Sequence, residues 1–220
     1  MKKKLVIFGL GQIAELANYY FSNDSSYEVS AFCIDNEYLP DEKAFQSKPI
    51  LPFSEVEKEY STNEYEFFIA VSYKNLNRFR AQKFEEAKNK GYRLANYVST
   101  KATVLTDLSD VENCFILENN TIQPFVTIGN NVTLWSGNHI GHHSRIEDNN
   151  FISSHVVVSG NVHIKQSSFF GVNSTIRDGV TVASYNVIAA NSFVSKDTKD
   201  KSVIVGNPGK YVKSSDDVDL

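Results

Sequence analysis

Residues 140–164 read IGHHSRIEDNNFISSHVVVSGNVHI, and an aliphatic residue returns at every sixth position: Ile140, Ile146, Ile152, Val158 and Ile164. An α-helix repeats its buried face at about 3.6 residues and a strand at about 2, so a period of six fits neither. The phase extends in both directions. It runs from Ile116 through Ile122, Ile128 and Leu134, and onward through Phe170, Ile176, Val182 and Ile188 to Val194, fourteen positions without a slip. A sandwich of ordinary short strands would reset the phase at each connection. A constant period of six is instead the mark of a hexapeptide-repeat parallel β-helix, in which each hexapeptide supplies one short strand and one turn, with its aliphatic side chain pointing into a prism. The position two residues earlier is small, polar or β-branched, as at Asn138, Ser144, Asn150, Val156, Val162 and Ser168, which suits a corner.

The front of the chain has another rhythm. KLVIFGL reads as a buried strand, QIAELANYYF as a helix, YEVSAFCID as a second strand, EYEFFIAVS as a later one, and NLNRFRAQKFEEAKNKG as a helix after it. Strands and helices that alternate at this spacing predict a small, Rossmann-like parallel α/β sheet. The expected organisation is an α/β domain over 1–98, a connecting segment over 99–115, a β-helix over 116–206 and a tail over 207–220.

The totals narrow the function. A net charge of -4 over 220 residues excludes broad electrostatic binding to nucleic acid or an anionic membrane surface. LVIFGL is too short to insert in a membrane, so a cytoplasmic location is expected. Cys33 and Cys114 have no metal-ligand spacing and read as small buried hydrophobes, and no metal site is expected.

VIFGLGQIAE, FCIDNE, FIAVSYKNLNRFR, IGHHSRI, SGNVHI and VIVGNPGKYV, taken in order, cover nearly the whole chain and resemble the bacterial sugar acetyltransferases of the NeuD/PglD type. The resemblance implies a left-handed winding of the β-helix, a homotrimer, and acetyl-CoA lying between neighbouring β-helices. It implies that His142, two residues after Ile140 in I-G-H, is the catalytic base. An imidazole can take a proton from an incoming amine or hydroxyl near neutral pH. Members of the family carry Asp or Glu beside that histidine, and this chain carries His143. Gly160 in SGNV matches a glycine whose N–H is implied to bind the thioester oxygen. A second family histidine aligns with Phe151, which makes Phe151 a candidate acetyl-CoA contact. His155, four residues on, is a candidate for the same groove or an exposed turn residue. Gly206, Pro208 and Lys210 in the closing GNPGK fall where the family lines its CoA channel.

GLGQIAE follows a strand and opens a helix, a geometry that presents backbone N–H groups to a phosphate. By resemblance Gly9, Gly11 and Gln12, with Asp35 and Asn36 after the second strand, hold the nucleotide of a nucleotide-linked sugar. Lys74, Asn75 and Arg78 add local positive charge to that set. The expected function is acetyl-CoA-dependent N-acetylation of an amino-deoxy nucleotide sugar for surface polysaccharide, O-antigen or glycan synthesis. The alternatives are a sugar O-acetyltransferase of the sialic acid type and a non-catalytic nucleotide-sugar-binding β-helix.

Overall fold

A computed structural model describes residues 3–218. The chain divides into two compact units, one formed by residues up to 72 together with 80–97, the other by 73–79 together with 98 onward.

The first unit is a sheet of five strands, β1 (Lys3–Phe8), β2 (Tyr27–Ile34), β3 (Ala44–Phe45), β4 (Lys48–Pro52) and β5 (Tyr65–Ile69), in the order β3-β4-β2-β1-β5. Helices α1 (Gln12–Asn23) and α2 (Val56–Glu59) intervene, and α3 (Arg78–Asn89) follows β5. The β1–β2, β1–β5 and β2–β4 pairings are parallel, as the alternation of elements predicts. Leu5, Val6, Ile7 and Phe8 of β1, an interior strand, are fully buried, the continuous apolar run expected of a strand covered on both faces. The sequence gives no sign of β3, which pairs antiparallel with β4 through a tight turn at Gln46 and Ser47, both at positive φ.

The helix expected from Asn75 begins instead at Arg78. Asn75, Leu76 and Asn77 all adopt positive φ (52°, 48° and 64°), so the chain makes one left-handed turn first. Leu76 is buried against Val187 and Val203, and Asn77 Nδ2 donates to Ser168 O at 3.1 Å, contacts that hold the turn within the second unit.

The second unit is a parallel β-helix of two-residue strands. Thr133–Leu134 pairs with Phe151–Ile152, His139–Ile140 with Val157–Val158, and Arg145–Ile146 with His163–Ile164, each offset by eighteen residues. Three hexapeptides therefore make one coil, and the coils stack into three sheets. All fourteen positions in the six-residue phase are buried, from Ile116 to Val194. The corner side chains staple coil to coil: Asn138 Oδ1 accepts from Val156 N at 2.7 Å, Ser144 Oγ from Val162 N at 3.1 Å, and Asn150 Oδ1 from Ser168 N at 2.8 Å. Every sixth residue from Asn113 to Asn191 has positive φ, and most of these are Asn or Gly, which tolerate the left-handed region. Phe125, His143, His155, Ser167 and Tyr185 occupy it against that preference.

The expected boundaries shift. Thr103–Val104 already pairs with Thr121–Ile122 and Phe115–Ile116 with Thr133–Leu134, so 99–115 is β-helix and not a connector. In the expected tail, Lys210–Ser214 pairs antiparallel with Ser202–Val205 and closes the last coil. No helix among the described residues is long and apolar enough to cross a membrane.

Candidate active site

His142, Gly160 and Asp178 stand eighteen residues apart, at one edge of the β-helix on three successive coils. The glycine makes room for what flanks it. A β-carbon on Gly160 would lie 2.7 Å from His142 Cε1, 2.8 Å from His142 Nε2 and 3.0 Å from Asp178 Oδ1. The imidazole therefore lies along the edge over Gly160, and the carboxylate approaches the same notch from the other side.

The Gly160 N–H finds no acceptor among the described residues, although Gly160 itself is buried. The cause is legible one coil back. There the N–H of His142 donates to the Gln123 side chain at 2.9 Å. The residue that occupies the place of Gln123 on the next coil is Gly141, which has no side chain to offer. Gly141 also packs directly on the following coil: a β-carbon there would lie 2.5 Å from the Ser159 carbonyl carbon and 2.6 Å from Gly160 N. Two glycines thus leave one backbone N–H unpaired beside an imidazole, an arrangement suited to a developing oxyanion.

His142 Nδ1 lies 3.1 Å from His143 Nδ1. The ring of His143 packs tilted against Phe125, with centroids 4.7 Å apart at 37°. Phe125 and His143 are the positive-φ residues of adjacent coils on this edge, at 65° and 57°. Sequence reasoning singled out His142, His143 and Gly160 but missed Gln123, Phe125, Gly141 and Asp178. The eighteen-residue offset, three times the period already read, would have found Asp178.

Phe151 does not belong to this site. It is an outward strand residue on the face covered by the segment around Tyr73, only 2% exposed, with Tyr73 at 5.0 Å and Phe169 at 5.9 Å between ring centroids. Its burial excludes it as an acetyl-CoA contact. His155 is exposed at positive φ, with its ring over Gly137, and lies on a different prism edge from His142. At the closing end, a cavity of about 970 Å³ is lined by Lys196, Lys201, Pro208, Lys210 and Tyr211 among others, so two of the five residues expected to meet CoA, Pro208 and Lys210, share one hollow.

In the first unit, Gly9 has φ 121°, and a β-carbon there would lie 2.7 Å from Ala70 O, so only glycine fits the loop. Gly11 caps α1, and Gln12 is its first residue. Asp35 and Asn36 follow β2, but each already has a partner: Lys83 Nζ donates to Asp35 Oδ1 at 2.8 Å, and Ser54 Oγ to Asn36 Oδ1 at 2.8 Å. Lys83, missed in the sequence, also reaches Glu86 Oε2 at 2.6 Å. Burial alone would lower the Lys83 pKa, but the two carboxylates outweigh it and raise it. Lys74, Asn75 and Arg78 belong to the second unit. Lys74 and Asn75 are exposed there, while the Arg78 guanidinium lies 4.8 Å from the centre of the Tyr185 ring and 3.4 Å from Asp216 Oδ1.

In sequence a parallel α/β unit is followed by a β-helix of stacked six-residue repeats, which carries an imidazole beside an unpaired N–H on one edge. The bacterial transferase hexapeptide (six repeats) family matches residues 125–160, which include His142 and Gly160. Among solved structures, the acetyltransferase domain of PglB from Neisseria gonorrhoeae is 20% identical with a TM-score of 0.83, covering 96% of this chain and 100% of that one. A mutant of perosamine N-acetyltransferase from Caulobacter crescentus, in complex with CoA and GDP-perosamine, is 19% identical with a TM-score of 0.83, covering 96% and 97%. WeeI from Acinetobacter baumannii is 16% identical with a TM-score of 0.79, covering 94% and 99%. The chain has the fold of these proteins over both units, the left-handed parallel β-helix included. No curated protein matches it.

Proposed function

We propose that the chain is an acetyl-CoA-dependent sugar N-acetyltransferase whose acceptor is the amino group of an amino-deoxy sugar linked to a nucleotide. The observation that carries this reading is the pairing of the His142 ring with the unpaired Gly160 N–H in one notch. The fold shared with the PglB acetyltransferase domain and with perosamine N-acetyltransferase supports it.

In the proposed reaction the amine nitrogen attacks the thioester carbonyl carbon while His142 Nε2 takes a proton from that nitrogen. The carbonyl oxygen becomes an oxyanion and receives the Gly160 N–H. Collapse expels the CoA sulfur, to which His142 returns the proton, leaving an amide and free CoA. The Asp178 carboxylate at the edge of the notch suits an acceptor that arrives as an ammonium ion and gives one proton to water before its nitrogen attacks, and this favours nitrogen over a sugar hydroxyl. Gly9, Gly11, Gln12, Asp35 and Asn36 would hold the nucleotide, with Lys74, Asn75 and Arg78 as further candidates; Gly206, Pro208 and Lys210 would meet CoA. A homotrimer would cover the exposed His142 edge with a neighbouring copy, and synthesis of a cell-surface glycan in the cytoplasm would be the setting.

The test is acetyl transfer to a panel of amino-deoxy nucleotide sugars, read by thiol release and product mass. Wild type is expected to acetylate at least one amine, and His142→Ala and His142→Asn to lower kcat by roughly 10²–10⁴-fold. Failure on every amine sinks the reading. Transfer only to hydroxyl sugars would establish the O-acetyl alternative in its place.

A further inference from the structure

We infer that His143 is the positioning residue of this site, an uncharged partner that fixes the tautomer of His142. The inference rests on the reading of His142 as the proton acceptor. Two imidazoles that meet Nδ1 to Nδ1 at 3.1 Å share one proton between those atoms. Of the two arrangements, only one leaves a base. If the Nδ1–H belongs to His142 and His143 accepts, the His142 Nε2 lone pair faces the notch over Gly160. With the proton on His143, Nε2 carries a hydrogen and nothing on that side can accept another.

The fold keeps His143 in place at a cost. It and Phe125 sit at positions where the left-handed backbone costs a non-glycine residue about 1–2 kcal/mol each, and most equivalent positions of the helix are filled by Asn or Gly. Of the five residues that break this preference, Phe125 and His143 fall on adjacent coils of the His142 edge, and their rings pack against each other. Two strained side chains in contact with one another, one of them also touching the candidate base, point to a selected arrangement.

An imidazole partner differs from a carboxylate in charge. A carboxylate would hold a proton on His142 at rest, so the ring would become available only at higher pH. A neutral acceptor fixes the orientation without that penalty. Asp178, from two coils further on, also faces the notch, and it remains in place in every variant below.

The experiment uses the full chain and three variants suited to positive φ. His143→Gly removes the acceptor and relieves the backbone, so it should fold. His143→Asn keeps a neutral acceptor, and His143→Asp supplies a charged one. On an amine that wild type acetylates, His143→Gly is expected to lower kcat roughly 10–100-fold with the KM for acetyl-CoA within about 3-fold. His143→Asn should recover most of the loss. His143→Asp should also recover it and move the acid limb of kcat/KM upward by about one pH unit. Wild-type kcat in His143→Gly overturns the proposal, as do three equally slow variants with an unmoved acid limb.

A second readout is independent of turnover. Ring ¹⁵N spectra should show His142 protonated at Nδ1 in wild type and at Nε2 in His143→Gly. The same tautomer in both overturns the proposal even if the chain is an acetyltransferase. A change of tautomer with no acetyl transfer to any sugar upholds the pairing and rejects the enzymatic reading.

Discussion

The His142 ring occupies space that a side chain on Gly160 would need, since a β-carbon there would come within 2.7 Å of Cε1. Gly160→Ala therefore has to push the ring aside, and it does so without touching the inner ladder. Stability should change by less than about 1 kcal/mol, because the group displaced is the end of an exposed side chain. The ring, however, must move by a few tenths of an ångström or more, and displacements approaching 1 Å cost about 10²-fold in rate. The expected outcome is a kcat reduced about 10–100-fold with an unchanged melting temperature. A fully active Gly160→Ala enzyme would show that the ring position over Gly160 has no catalytic meaning.

Phe125 gives a prediction of opposite sign for stability and rate. It is 71% exposed and strained at positive φ, so it contributes little to the core. Phe125→Asn places a residue that tolerates this backbone, which is worth up to about 1 kcal/mol, offset in part by the lost stack on His143. The melting temperature should hold or rise while kcat falls several-fold. Loss of stability together with loss of rate would mean that Phe125 serves packing.

The period of six survives translation into structure because every turn of the β-helix is alike, so a single phase read at Ile140 fixes residues from Ile116 to Val194. The same period carries the site only when multiplied by three. His142, Gly160 and Asp178 look unrelated in sequence and become neighbours once eighteen residues make a coil. What was not legible depends on contacts that no local pattern encodes. Phe151 fits a ligand-facing position by alignment, yet the segment around Tyr73 covers its face. Asn75 to Asn77 fit a helix by composition, and their left-handed turn follows from anchoring Leu76 against Val187 and Val203. Lys83 is one of two lysines in a charged helix until the fold lays it against Asp35.

That lysine has a pH signature. The Lys83 side chain is only 7% exposed, between Asp35 and Glu86. Burial would raise the Glu86 pKa, but hydrogen bonds from Lys83 and Gln82 outweigh it and lower it. A lowered carboxyl stabilises the fold above its ordinary range and stops doing so as pH falls through the lowered value. The raised Lys83 stabilises below its ordinary value and stops as pH rises through the raised one. Lys83→Met should cost about 1–3 kcal/mol near neutrality, since it strands two partly buried carboxylates. Urea midpoints of wild type and variant should converge as the pH falls below about 4, the ordinary range of a glutamate. A constant gap from neutrality down to acid pH would rule out the pairing as its source.

The corner staples allow a graded test of what holds the coils together. Asn150 is fully buried; its Nδ2 donates to Glu147 O at 2.7 Å and Lys165 O at 3.1 Å, while its Oδ1 accepts from Ser168 N. Asn150→Ala leaves these backbone groups without that partner and should cost about 2–4 kcal/mol, given 1–3 kcal/mol for a buried group left unpaired. Asn150→Ser should cost less. Ser144, at an equivalent corner, donates to Ser159 O at 2.9 Å and accepts from Val162 N at 3.1 Å, so a hydroxyl recovers one bond of each kind. Asn150→Asp should be the worst of the three, because it turns a carboxylate oxygen toward the carbonyls that Nδ2 now serves. The expected order of urea midpoints is wild type, Ser, Ala, Asp. If Ser falls with Ala, the corners act through shape and not through hydrogen bonds, and the polar residues that precede each inward position need another explanation.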